Sequence, residues 1–234
     1  MRKPLLFTFL YVVVCTIFAG CSTDDDENGI HSTVKIINGH KFIDLGLPSG
    51  LLWAETNIGA ETAADDGEYF AWGETKSKSN YDWSTYKYGR PESNFLKYNG
   101  YDEKKVLDLE DDAAYIIWGT RCRIPTDAEF EELSESSNCT WTWTRKTNSS
   151  GNNIDGYEVT SVKNGNSIFF PASGYRSYKK LNSRYSYGSY WTSAIDPEGH
   201  VEYACHCGLS SNTCSPASSI SRFYGYTIRP VAER

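Results

Sequence analysis

Methionine occurs once and histidine four times in 234 residues, and no apolar run reaches the roughly 20 residues that a membrane-spanning helix requires. His31, His40, His200 and His206 are the only imidazoles available as general bases. His31 falls in a polar stretch and His40 beside a turn, where both read as surface residues. The chain has no Gly-x-Ser-x-Gly elbow, no His-Glu-x-x-His and no phosphate loop. Carboxylates are plentiful, but nothing in their spacing selects an acid–base pair. Cations are in deficit, 23 Lys and Arg against 30 Asp and Glu, which argues against nucleic acid and anionic headgroups as chain-wide partners. Cysteines number seven, and the five beyond Cys21 (Cys122, Cys139, Cys205, Cys207 and Cys214) are an odd set, so at least one thiol is unpaired or bridges chains. Cys205-His206-Cys207, with Cys214 and His200 nearby, offers soft ligands. Strand alternation turns 206 away from 205 and 207, however, so neither a metal nor any other cofactor is expected.

What is present begins at the N-terminus. Arg2 and Lys3 precede an apolar run from Pro4 to Phe18 that ends in Ala19-Gly20-Cys21, the layout of a cleaved export signal. The stretch resembles a bacterial lipoprotein signal, with Phe18 where the motif prefers Leu. The resemblance implies that Cys21 becomes the lipidated first residue. Acyl chains, at about 0.8 kcal/mol per buried CH2, would then hold the mature protein on its membrane. Cys21 to Glu27, Cys-Ser-Thr-Asp-Asp-Asp-Glu, is too charged to pack and reads as a tether. It also resembles the acidic signal that sends Bacteroidetes lipoproteins to the outer face of the outer membrane. The expected organisation is a signal over 1–20, an acidic tether over 21–32 and one domain over 33–234. The mature charge would be 21 basic against 30 acidic residues, or −9.

From Thr33 short apolar runs alternate with turns. Asn38-Gly39 between Val34–Ile37 and Phe42–Leu45 predicts a hairpin, as does Asn164-Gly165 between Gly156–Lys163 and Ser167–Phe170. Further strands are expected at Leu51–Trp53, Gly67–Gly73, Thr140–Thr144, Ser189–Ala194, Val201–Cys207 and Gly225–Val231, with residues 74–104 as a polar surface excursion. Two helices are expected. Leu109–Trp118 carries acids in its first turn and stops at Gly119, and Pro125–Leu133 opens with a Thr126/Glu129 capping box. Two helices among many short strands, without a βαβ rhythm, predict an α+β domain with short, irregular antiparallel strands.

Five motifs occur in order: Gly46–Trp53, Tyr69–Glu74, Trp118–Phe130, Ser189–Ser193 and Gly225–Val231. Together they resemble the Fibrobacter succinogenes major paralogous domain over roughly residues 37–231, with Cys122 where that family has Trp. The resemblance implies a C-type-lectin-like fold related to the formylglycine-generating enzymes through Arg123–Phe130 and Gly225–Arg229. Catalysis does not transfer with it, because Tyr203-Ala-Cys-His-Cys-Gly208 lacks the basic residue that would lower a thiol pKa. Calcium-dependent sugar binding does not transfer either: Trp191-Thr192-Ser193 lacks the amide and the acid that would coordinate the ion.

Between 174 and 226, Tyr is set among Ser, Gly, Asn and Arg, the composition of a binding loop. Tyr178, Arg184, Tyr185 and Tyr187 lie in the most polar part and are the expected ligand-binding residues. The lectin-like frame would bring His206 and Asn212 to the same C-terminal face, which some lipoproteins of this kind vary between copies. The expected function is a non-catalytic module of the cell surface, anchored in the outer membrane and binding a glycan or protein outside the cell, as in adhesion. The alternatives are an assembly subunit of the envelope or fimbriae and, third, an enzyme of the formylglycine-generating type.

Overall fold

The computed structural model of the chain describes residues 33–91 and 94–234. The signal, Cys21 and the tether lie outside the described residues. β1 (Val34–Ile37) and β2 (His40–Asp44) pair through Asn38-Gly39, whose φ values of 50° and 84° are both left-handed, as a two-residue I′ turn needs. β2 continues onto β3 (Leu52–Ala54), and then the end of the chain returns. The two-residue strand β13 (Val231–Ala232) lies between β3 and β4 (Cys122–Arg123), closing a five-stranded antiparallel sheet.

The first expected helix splits at Asp112. Leu109–Asp111 is a single 3-10 turn, and α1 (Ala113–Trp118) starts where the Asp112 carboxylate accepts the amides of Ala114 and Tyr115 at 2.8 and 3.0 Å. Gly119, at φ 99°, ends it. α2 (Asp127–Ser134) has the expected capping box: Thr126 Oγ1 accepts from the Glu129 amide, and Glu129 Oε2 accepts from the Thr126 amide. Phe130 and Leu133 supply its buried stripe. β5 (Cys139–Thr147), β6 (Asn153–Ser161) and β7 (Ser167–Pro171) form a second antiparallel sheet, and Trp141 on β5 donates its indole N–H to Leu133 O.

A third sheet holds β10 (Tyr187–Ile195), β11 (Tyr203–Ser210) and β12 (Thr213–Ser221), and a hairpin of β8 (Tyr175–Ser177) and β9 (Lys180–Asn182) stands apart. With thirteen strands and two α-helices, of six and eight residues, among the described residues, the fold is mostly β; the expected α+β class holds only to the extent of two short helices beside antiparallel sheets. β12 was not foreseen because its Ser-rich run has no apolar face to mark it. Gly67–Gly73 makes one bridge, Phe70 to Tyr226, instead of a strand, and the expected Gly225–Val231 strand is real only at its end.

Alternation distributes side chains to two cores. Tyr190 and Trp191 are neighbours on β10 yet enter different clusters, as do Trp53 and Ala54 on β3. The larger core overturns the expected surface excursion at 74–104. Tyr81, Tyr86, Tyr88, Phe95 and Tyr98 are all buried there, and three of the tyrosines donate their hydroxyls to the backbone carbonyls of Tyr69, Trp72 and Gly73. The segment lacks regular structure but fills the interior with rings, each contributing roughly 1.5–3 kcal/mol by leaving water. Two buried arginines fasten the frame. Arg229 donates to Asn57 Oδ1 and to the carbonyls of Ala54, Glu55 and Phe169 at 2.8–3.2 Å. Arg222 donates to the carbonyls of Lys97 and Tyr98 while stacking over Trp72 and Phe95.

Candidate functional site

The β8–β9 hairpin and the turn after it carry one of two groups of left-handed non-glycine residues among the described residues, the other being Asn94, Tyr98 and Glu103. Tyr178, Ser183 and Tyr185 take φ values of 53°, 54° and 73°, a left-handed conformation that non-glycine residues seldom adopt. Such conformations persist where surrounding contacts over-determine them, and here they come from three directions. Tyr178 exchanges backbone hydrogen bonds with Tyr81 at 2.7 and 2.9 Å, Arg176 does so with Gly225 at 2.8 and 2.9 Å, and the Tyr185 amide donates to Ala172 O at 2.7 Å. Gly174 closes the base of the loop at φ 68°, where a Cβ would lie 2.2 Å from Asn182 O. The resulting rim is short, pinned and outward-facing.

Tyr178 is 63% exposed and Tyr185 42%, the two rings this rim presents to solvent. Arg184 reaches down to Asp66 with Nε 2.6 Å from Oδ2, and its guanidinium stacks over Tyr185 at 4.7 Å. Burial pushes the Asp66 carboxyl up, against the pull of Arg184. Tyr187 does not join the exposed rings. It is half-buried, meets Tyr175 edge-on at 6.5 Å, and burial raises its phenol. His206 is inside the protein, 5% exposed against Trp191 and Tyr226, with no partner for Nδ1; desolvation lowers its pKa to about 4. It therefore faces the larger core and not the expected binding face. Asn212 is exposed at the β11–β12 turn. The rim thus unites Tyr178, Arg184 and Tyr185 of the expected set.

Beside the rim opens a cleft of about 490 Å³, lined by Gly67, Glu68, Tyr69, Ser77, Lys78, Ser79, Tyr81 and Arg176. The Arg176 guanidinium lies 5.1 Å from the centre of the Tyr69 ring, and Lys78 donates to Glu74 at 2.8 Å. Sequence reasoning missed this cleft because its walls come from segments about a hundred residues apart. The one local signal was the run of cations near each segment.

Two other clusters lack an open, reactive geometry. Asp108, Glu110 and Asp111 converge on Lys97 Nζ at 2.5, 2.7 and 2.5 Å, so an ammonium already occupies the point where three carboxylates meet. Cys205 and Cys207 are 1% and 0% exposed, and burial raises both thiols, Cys205 to about 11, which disfavours the thiolate a nucleophile requires. Cys122, Cys139 and Cys214 are also free thiols. No protein-family model, curated protein or solved structure matches this chain.

Proposed function

We propose that the protein is a non-catalytic binding module of a bacterial cell surface, anchored through Cys21 to the outer membrane and presenting the 174–187 rim to a glycan or protein ligand. The fold we assign to it is C-type-lectin-like. Supporting that assignment are the five ordered motifs, the first and last described strands, β1 and β13, which share one sheet, and the long loop packed by its own rings. One observation carries the function. Two tyrosine rings are held in solvent on left-handed backbone that the rest of the molecule pins in place, at a cost to the fold that an ordinary turn would avoid. Rigid, amphipathic rings give contact area with little entropy to lose on binding.

The test is a glycan and extracellular-protein array probed with the detergent-solubilised full chain. A ligand whose affinity falls at least about tenfold, or 1.4 kcal/mol, in the Tyr178→Ala/Tyr185→Ala double variant supports the reading. No ligand above background, or binding indifferent to both tyrosines, overturns it. Incorporation of radiolabelled fatty acid, lost on Cys21→Ser, tests the anchor. The assembly alternative draws on Leu109, Ile116 and Ile117, which are 45–53% exposed around α1; sedimentation showing a stable oligomer that Ile116→Asp/Ile117→Asp dissolves would favour it.

A further inference from the structure

Charge is distributed against the trend of the chain. Acids exceed bases overall, yet residues 76–81 and 175–185, which the Tyr81–Tyr178 bridge joins, hold Lys76, Lys78, Arg176, Lys179, Lys180 and Arg184 with no Asp or Glu. Lys78 is taken by Glu74 and Arg184 by Asp66. Lys76, Arg176, Lys179 and Lys180 have no acidic partner among the described residues, and the three lysines are exposed. Arg176 is set into the cleft wall, its guanidinium resting on the Tyr69 ring, and Ser77 and Ser79 line the same hollow. Glu68 is the one acid on that lining.

A guanidinium fixed on an aromatic face and free of any internal carboxylate is a ready partner for an external one, because its planar fork matches carboxylate and sulfate in two parallel hydrogen bonds. Exposed Tyr178 beside it offers a flat apolar surface to the face of a sugar ring. Resting on the binding-module reading above, we propose that this cleft and the hairpin beside it bind an acidic polysaccharide. Arg176 takes a uronate carboxylate or a sulfate group, Lys179 and Lys180 take neighbouring charges, and Tyr178 stacks on a ring. The basic strip is narrow and bordered by Asp66, Glu74 and Asp82, and the whole chain is anionic, which suits spaced sugar charges better than a continuous phosphate backbone.

The experiment measures binding of the detergent-solubilised full chain to polygalacturonate, to heparin, to neutral dextran and to a single-stranded DNA oligomer, at 50 and 300 mM salt. Expected are retention on the two acidic polysaccharides with weakening at the higher salt, and none on dextran. Arg176→Ala should lose at least about tenfold in affinity, Arg176→Lys should recover part of that loss, and Lys163→Ala, on a distant hairpin, should change nothing. Should Arg176→Ala fail to fold, the Lys179→Ala/Lys180→Ala double variant, altered only at exposed side chains, carries the same expectation. Equal binding by these variants and the parent overturns the proposal, as does DNA binding as tight as the polysaccharides. Tyr178-dependent binding to dextran or to a protein would overturn this proposal while leaving the binding-module reading in place; no ligand of any kind overturns both.

Discussion

Replacing His206 with Leu isolates a single titration from the acid behaviour of the whole protein. The ring sits against Trp191 and Tyr226, its Nδ1 has no partner, and desolvation moves its pKa from 6.5 to about 4. Between those values the unfolded chain binds a proton at this site and the folded chain does not. A group depressed on folding in this way makes stability rise with pH, so its contribution is fully present above about pH 6.5 and is lost as pH falls toward 4. Integrating from pH 7 to pH 4 with those two values gives a loss of about 3 kcal/mol. The carboxylates that also titrate over this range are common to parent and variant, and they cancel when the two are compared. Urea unfolding of both proteins at pH 7 and at pH 4 should therefore show the parent losing about 3 kcal/mol more than His206→Leu, whatever the variant's stability at pH 7. Identical pH dependence in the two proteins, within about 0.5 kcal/mol, would mean that the imidazole is reached by water or partnered in solution, and would refute the reasoning.

Arg229→Met should lower the melting temperature by roughly 8–16 °C, because it strands four acceptors of one buried guanidinium at a combined cost of about 4 kcal/mol in a domain of this size. A shift under about 3 °C by calorimetry would show that the arginine is not the fastener described here. Among the described cysteines, Cys214 is the half-exposed one, and its hydrogen bond with Cys207 holds its thiol below the ordinary value. Iodoacetamide followed by peptide mapping should label Cys214 first in the native protein, about tenfold or more ahead of the others, and all five after denaturation without reductant. Early labelling of Cys122 or Cys207, or fewer than five labelled after denaturation, would contradict the arrangement.

The features legible in the chain itself were those enforced within a few residues. Asn38-Gly39 makes its hairpin because two adjacent left-handed positions admit little else, and Thr126 with Glu129 starts α2 because each side chain reaches the other's amide across one turn. The polar, tyrosine-bearing stretch at 177–189 was visible for a similar reason: a segment that hydrophilic must keep part of itself in water, and Tyr178 and Tyr185 do so. Distance along the chain is where legibility stopped. The tyrosines of 81–98 looked like surface residues because the carbonyls they donate to, those of Tyr69, Trp72 and Gly73, lie outside their own segment, and the rings they meet within it, Tyr86 with Tyr88 and Tyr88 with Tyr98, come together only in the folded loop. Trp72 and Trp191 likewise donate to Thr192 O and Phe70 O, about 120 residues away. His206 has the same local surroundings as an exposed strand residue, and it is buried because β11 runs between two cores that no short window contains. Turn chemistry and helix capping are local energies and can be read residue by residue. Burial, and with it the choice of which tyrosine faces a ligand and which fills the interior, belongs to contacts that exist only once the chain has folded.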